Sequence, residues 1–465
     1  MIGLPFAAGN DYAVLGLGKS GRAAVASLLA SGARVVAWDD TEATRQALQN
    51  EFPELVVQAA DAWDFGRLTA VILSPGIVLT HPAVVAARKA NVEVIGDVEL
   101  LYRAQPQATY VGITGTNGKS TTTTLIAHML QACGKKIAVG GNLGTPALAL
   151  EPLVEDGIYV LELSSYQLDL VTTLKINVAV WLNISPDHID HHGSMEAYVD
   201  AKRTIFARQG KKDVAVIAID DAFSSEQCKL LQLGRQQSVI PISAKRALPA
   251  GIFAERGVIV NRFGLLEMRA DITAVKSLQG QHNWQNAAAA YAACYALACP
   301  HEALVAALQT YPGLAHRMEW LGEVNGVQFV NDSKATNADA AEKALQTYDG
   351  IYWILGGVAK EGGIEILADY FGKIRHAYLI GEAAGMFAKT LQHKKVPYTK
   401  TGTLENAFHA AANDAQNDAV KNAVVLLSPA CASFDQFPNF EVRGAAFVAL
   451  FETLKTHRDS HASTA

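Results

Sequence analysis

Short apolar runs of strand length alternate with helical stretches almost from end to end of this chain, and that alternation confines it to an α/β architecture. The runs fall into three groups. The first comprises 12–16, 33–39 and 70–74, and closes near the polar, proline-bearing break Gln105-Pro106-Gln107. The second comprises 109–114, 158–161, 178–182 and 214–217. Beyond it, 239–272 breaks into short pieces with glycine turns that read as antiparallel hairpins, and an alanine-rich helix is expected over 283–298. Tyr311-Pro312-Gly313 then punctuates the chain before the third group, 327–330, 350–355 and 423–427. An amphipathic helix is expected at 441–456, with a polar tail after it. At 465 residues the chain is too long for one compact core. The breaks divide it into three domains: a Rossmann-like domain at 1–106, a central P-loop ATPase-like domain with a mostly parallel sheet at 107–313, and a second Rossmann-like domain at 314–465.

The most informative motif is Gly115-Thr116-Asn117-Gly118-Lys119-Ser120-Thr121, set between a strand-like run and a helical stretch rich in small and apolar residues. Glycines let backbone N–H groups turn toward an anion, and the helix start adds positive potential. Lys119 supplies a cation for the β- and γ-phosphates, and Ser120 a hydroxyl for Mg²⁺. The spacing departs from the strict GxxxxGK[ST] form, because its first position is Ile113. Glu162 ends an apolar run, which suits a Mg²⁺ ligand near a phosphate loop and equally an edge glutamate in solvent. Asp187-His188-Ile189-Asp190 offers three metal or phosphate ligands just after another run. Lys202, beside Arg203, reads locally as a solvated helix lysine.

Other motifs are less specific. Gly16-Leu17-Gly18-Lys19-Ser20-Gly21, with Asp39 after the next strand, has the dinucleotide-binding spacing. It fits a nicotinamide-dependent dehydrogenase, and equally a tight turn that packs a strand on a helix. Asn283 and Asn286 stand three apart at a helix start, placed either to read a base edge or to cap the helix. The third group carries His316-Arg317, the segment 331–337 with Asp332, Lys334 and Thr336, Lys360 in a glycine-flanked loop, and the segment 428–433. Cations and hydroxyls repeated on loops point to an anionic, carboxylate-bearing substrate. A net charge of −6 argues against nucleic acid or an anionic membrane as main partner. Five cysteines without CxxC or zinc-like spacing read as free thiols of a reducing cytoplasm. Neither a secretory leader nor a span-length apolar stretch is visible, so a cytoplasmic protein is expected.

Taken together, GTNGKST at 115–121, ELSSYQL at 162–168, DHID at 187–190 and GQHNWQN at 280–286 resemble the Mur ligases of peptidoglycan synthesis. NDSKATN at 331–337 and SPACASFDQF at 428–437 resemble their D-glutamate-adding branch. The resemblance covers essentially the whole chain and implies an ATP-dependent amide ligase of cell-wall synthesis, with ties to cell shape and division. Its substrates would be UDP-N-acetylmuramoyl-L-alanine and D-glutamate, joined through an acyl phosphate. The same chemistry with another amino acid, such as L-glutamate, is the alternative.

By the same resemblance, Gly16, Lys19, Ser20, Asp39, Asp40 and Gly76 would bind the UDP moiety, which removes the dehydrogenase reading. Asn142 and His188 would lie near the sugar. The loop from Gly115 to Thr121 would bind ATP, with Asn283 and Asn286 at the adenine. Arg317, Asp332 and Lys334 would reach ATP from the third domain, which is expected to close and exclude water. Ser120, Glu162, His188 and a carbamylated Lys202 would hold two Mg²⁺. Thr336, Lys360, Ser433, Phe434 and Phe440 would hold D-glutamate. Lys119, Glu162, His188, Lys202, Arg317 and Lys334 would carry the chemistry, in a chain expected to act as a monomer. Thr41 stands where some relatives carry a basic residue.

Overall fold

A computed structural model describes residues 1–359, 362–418 and 420–462, with side chains as far as 456. The chain divides into two compact units, 1–272 with 283–310, and 273–282 with 311–465.

In the first unit, β1 (Asp11–Leu15), β2 (Arg34–Trp38), β3 (Val56–Val57), β4 (Ala70–Leu73) and β5 (Glu93–Ile95) form one sheet in the order β3-β2-β1-β4-β5. Every pairing is parallel. Parallel neighbours need a crossover connection, and helices such as Lys19–Ala30 supply it. Strands covered on both faces lose the polar alternation of a half-exposed strand; all four residues of β4 are buried.

The second sheet contains β6 (Thr109–Thr114), β7 (Ile137–Gly141), β8 (Ile158–Glu162), β9 (Val178–Trp181), β10 (Val214–Ala218), β11 (Ser238–Ser243), β12 (Ile252–Glu255), β13 (Val258–Asn261) and β14 (Met268–Asp271). Its order is β14-β13-β12-β11-β10-β9-β6-β8-β7. The hairpins expected over 239–272 are only partly there. β11 pairs parallel with β10, and β12 with β11, so antiparallel pairing is confined to β12-β13-β14. The reason is the helix Ala222–Gly234, which carries the chain back to the same end of the sheet before β11 begins.

The two sheets share one apolar core, which includes Tyr12 and Val14 of β1 as well as Tyr110, Tyr159 and Trp181 of the second sheet. A buried carboxylate ties them further. Glu99, on the helix Asp97–Ala104, accepts from the N–H groups of Thr172, Thr173 and Leu174 and from the Thr173 hydroxyl. Arg103 pairs with it at 2.9 Å. Burial pushes the Glu99 carboxyl up, yet these donors outweigh it and hold the group below its ordinary range.

The second unit holds β15 (Glu319–Val324), β16 (Val327–Asn331), β17 (Ile351–Gly356), β18 (Ile374–Ile380), β19 (Tyr398–Gly402) and β20 (Val424–Leu427), ordered β15-β16-β20-β17-β18-β19. Among the described strand pairs of this sheet, only β15 with β16 is antiparallel. The last helix runs from Phe440 to Ala462, past the expected end at 456. Among the described residues no helix is long and apolar enough to cross a membrane.

Candidate active site

In the second sheet β6 lies between β8 and β9, so consecutive strands fall on opposite sides of it. The crevice beyond the carboxyl ends of such strands is where an open α/β sheet binds ligands. The loop 115–118 leaves β6 at this point, and the helix Lys119–Ala132 begins directly after it. Gly118 caps that helix in the left-handed region (φ 83°), and a β-carbon there would stand 2.2 Å from Asn286 Oδ1. Position 118 therefore has to be glycine for both backbone and packing reasons.

Asn183 fastens the loop, accepting from the Asn117 N–H at 2.8 Å and donating back to the Asn117 carbonyl. The Thr116 and Tyr198 hydroxyls lie 3.0 Å apart. Lys119 Nζ curls over the loop and donates to the carbonyls of Gly115 and Thr116 at 3.0 and 2.9 Å. The result is a cation and a helix N-terminus at one turn, which is an anion site.

Around this turn stand the other expected residues of the first unit. Ser120 is buried in the first turn of the helix. Glu162 ends β8 and is 2 % exposed; its Oε1 accepts from Asn142 Nδ2 at 2.7 Å. Its Oε2 is buried without a hydrogen-bond partner among the described residues. Lys202 is 1 % exposed, on the helix Met195–Arg203, and donates to the Gly115 carbonyl at 3.0 Å. Burial, and then the charge of Lys119, push its amine down to about 7 against the pull of Asp187 and Glu162. His188 is exposed, with a left-handed backbone (φ 53°), its Nε2 3.3 Å from Asp187 Oδ2.

These residues fit a divalent cation. A buried carboxylate oxygen with no donor is costly unless something positive meets it, and carboxylate and hydroxyl oxygens are the ligands Mg²⁺ prefers. Asn283 and Asn286 are both buried here. Asn286 accepts from the Thr122 hydroxyl and donates to Asn283 Oδ1, so it braces the phosphate-loop helix.

The first sheet shows the same topology: β1 stands between β2 and β4, and Gly16 turns away from its end at φ 84°. A β-carbon on Gly21 would lie 1.8 Å from the Gly16 carbonyl, so the last glycine of the motif permits close packing of helix on turn. Asp39 accepts from the N–H groups of Leu17 and Thr41 at 2.7 and 2.9 Å. Lys19, Asp40 and Gly76 are exposed around this turn and Ser20 is partly buried, while Asn142 belongs with Glu162.

In the second unit, Asp332 follows β16 and is buried, accepting from the Met318 N–H and, at 2.7 Å, from the Ser428 hydroxyl. Burial pushes its carboxyl up to about 7. The Lys334 ammonium lies 5.6 Å from the centre of the Phe440 ring. Ser433 is buried, Thr336 and Arg317 are partly so, and Phe434 is 74 % exposed. Lys360 lies outside the described residues. Sequence reasoning missed Arg443. It is buried, donates to the Ser333 hydroxyl and to the carbonyls of Ser333 and Cys431, and thereby joins the two loop segments 331–337 and 428–433. Its position three residues after Phe440 on one helix was the available signal.

Three family models match the chain in succession: the Mur ligase MurD-like N-terminal domain over residues 10–96, the Mur ligase middle domain over 113–294, and the glutamate ligase domain of Mur ligases over 316–431. A UDP-N-acetylmuramoylalanine--D-glutamate ligase of Caulobacter vibrioides is 50% identical over 453 residues, 95% of either chain. This chain belongs to the Mur ligase family. A second such ligase, from Phenylobacterium zucineum, is 48% identical over 457 residues, covering 96% of this chain and 97% of its own. Among solved structures, the UDP-N-acetylmuramate-alanine ligase MurC of Thermotoga maritima superposes with a TM-score of 0.58 at 18% identity, over 95% of this chain and 99% of that one. MurF from Acinetobacter baumannii gives 0.58 at 18% identity, over 97% and 93%. Both share the Mur ligase fold with this chain. The phosphate loop, Glu162, His188 and Lys202 all fall inside the middle-domain match.

Proposed function

We propose that this chain is an ATP-dependent ligase that adds D-glutamate to UDP-N-acetylmuramoyl-L-alanine in the building of peptidoglycan. The observation that carries the reading is the gathering of Lys119, Ser120, Glu162 and Lys202 at the carboxyl ends of β6 and β8. High identity to ligases named for this reaction supports the choice of substrates.

In the first step a carboxylate oxygen of the UDP-linked substrate attacks the γ-phosphorus of ATP, and the bond to ADP breaks. Lys119 and the N–H groups of the loop neutralise charge on the transferred group. In the second step the amine of D-glutamate attacks the acyl carbon; inorganic phosphate leaves with the bonding pair and the amine gives up a proton. Two Mg²⁺, held by Ser120, Glu162, His188 and Lys202, would draw charge from the phosphate and carboxylate oxygens. The neutral amine of Lys202 would add CO₂ and release a proton, turning a misplaced cation into a carboxylate ligand. Loss of activity on removal of CO₂ and bicarbonate, restored by bicarbonate, is expected; indifference would refute the carbamate.

The divisions 1–106, 107–313 and 314–465 would then bind nucleotide sugar, ATP and amino acid in turn, in a cytoplasmic monomer. Gly16, Lys19, Ser20, Asp39, Asp40 and Gly76 would take the UDP group and Asn142 the sugar. Asn283, Asn286, Arg317, Asp332 and Lys334 would meet ATP. Thr336, Lys360, Ser433, Phe434 and Phe440 would take D-glutamate. The deciding experiment is phosphate release with the UDP-linked substrate across a panel of D- and L-amino acids, with Lys119→Ala as control. Release with D-glutamate, lost by orders of magnitude in the variant, is expected. Release that needs no acceptor, or prefers L-glutamate, would overturn the assignment.

A further inference from the structure

Beside the phosphate loop, but sharing none of its residues, lies a second group of metal-type ligands. Asp169 follows the short helix Ser165–Leu168, whose start is fixed by the reciprocal bonds of Ser164 and Gln167. His191 and His192 end the turn Ile189–His192. One ligand atom from each of Asp169, His191 and His192 lies within 4.8 Å of the other two. His192 Nδ1 is 3.6 Å from Asp169 Oδ2, and the His192 side chain is only 4 % exposed.

The arrangement has the marks of a ligand set rather than of an ion pair alone. At 3.6 Å the His192–Asp169 contact is too long for a hydrogen bond. On the far side of the ring, His192 Nε2 stands 2.9 Å from the buried Ser165 hydroxyl. That contact fixes the ring and leaves Nδ1 directed at Asp169, as outer partners do for metal-bound imidazoles. The rings of His191 and His192 meet at 75° with centroids 4.8 Å apart, and Tyr166 packs against both, holding them together.

We propose that Asp169, His191 and His192 form a binding site for a divalent transition-metal ion such as Zn²⁺, distinct from the Mg²⁺ site at Glu162. Two imidazoles and one carboxylate suit Zn²⁺ or Co²⁺ and leave a fourth position for water, whereas Mg²⁺ prefers oxygen ligands in an octahedron. Zinc bonds of about 2.0–2.1 Å in a tetrahedron place ligand atoms a little over 3 Å apart. The ion would have to draw the half-buried His191 and Asp169 side chains inward to close the remaining gap. The ion would tie 169 to 191–192 and so pin the turn that begins at His188.

The test is titration of the full-length chain with Co²⁺ at saturating Mg²⁺, followed by visible absorption, then competition with Zn²⁺. The wild-type chain should develop a tetrahedral Co²⁺ band that Zn²⁺ removes. Asp169→Asn and His191→Ala should each weaken Co²⁺ binding at least tenfold, with unaltered circular dichroism in the absence of metal. Co²⁺ held elsewhere contributes equally to all three proteins, so the difference between them isolates this site. Superimposable titrations for the wild type and both folded variants, or no tetrahedral band in the wild type, would overturn the proposal.

Discussion

Replacing Gly141 by alanine should disable the site from its edge, without substituting any residue given a chemical role. Gly141 ends β7 opposite Glu162 on β8, with a backbone φ of 95°. A β-carbon there would stand 2.4 Å from the Glu162 carbonyl oxygen and 3.4 Å from its backbone carbon and nitrogen. Comfortable separations are about 3.5 Å, so the strand ends must part by about 1 Å. The obstacle is backbone, so no side-chain rotation relieves it. The left-handed conformation adds about 1–2 kcal/mol for a residue with a β-carbon. The displaced groups are Glu162 itself and Asn142, whose N–H bonds the Glu162 carbonyl and whose amide holds Oε1. A 1 Å error in such a site costs on the order of 10²-fold in rate. Steady-state phosphate release against Mg²⁺ concentration should show kcat/KM down by about that factor and half-saturation moved to higher Mg²⁺. Gly144→Ala is the control: its φ of 65° is also left-handed, but nothing lies within 4 Å of the added carbon. It carries the conformational cost alone. Activity within twofold of wild type in Gly141→Ala, or an equal loss in Gly144→Ala, would refute the reasoning.

Two further outcomes concern stability. Glu99→Ala leaves the N–H groups of Thr172, Thr173 and Leu174 without their acceptor, and should cost about 3 kcal/mol or more in denaturant unfolding. Because the folded pKa of Glu99 is depressed, this contribution is present above the unfolded carboxylate pKa and fades as pH falls through the folded value; the variant should lack that acid dependence. Asp332 has the opposite sign. Its folded pKa is raised to about 7 from an ordinary value of 3.8, so the folded state holds the proton more tightly and stability declines as pH rises from about 4 to about 7. Asp332→Asn keeps the Met318 contact and should melt higher than wild type at pH 8, with a smaller difference at pH 5. A gap that does not change with pH would contradict the assignment.

Much of this was legible in the sequence wherever chemistry and local geometry coincide. The turn at 115–118 announces itself because a passage from strand to helix needs glycines at set places and the lysine follows at once. The alternation of β1, β2 and β4 with helices was equally plain, since buried parallel strands read as unbroken apolar runs. Lys202 was not readable locally. On its own helix it is one more lysine beside an arginine, and only burial against Gly115 and Thr114, almost ninety positions earlier in the chain, pushes its amine down to about 7. Glu162 was ambiguous for the same reason, as the fold decides whether a strand-end carboxylate meets water or a crevice. The parallel placement of β11 escaped because strand direction depends on the preceding crossover, and 239–272 taken alone shows only its glycine turns. Six of the described strands went unseen, β3, β5, β7, β15, β18 and β19: β3 and β5 are only two and three residues long, β7 runs out into Gly140-Gly141, and β18 carries Arg375 and His376 near its start.

The core common to the first two sheets has a consequence for how this protein can be taken apart. Family models divide the chain into three modules, but the first unit contains the first of them and all of the second except 273–282, under one set of apolar contacts. Severing the chain near 106 would part Tyr110 from Tyr102 and from the Leu101 and Gln105 carbonyls that its hydroxyl meets, and would deprive Glu99 of its donors. Chimeras between relatives should therefore exchange residues 1–272 together with 283–310 as a single cassette. A recombinant fragment ending near 106 should unfold at lower denaturant concentration than the full-length chain.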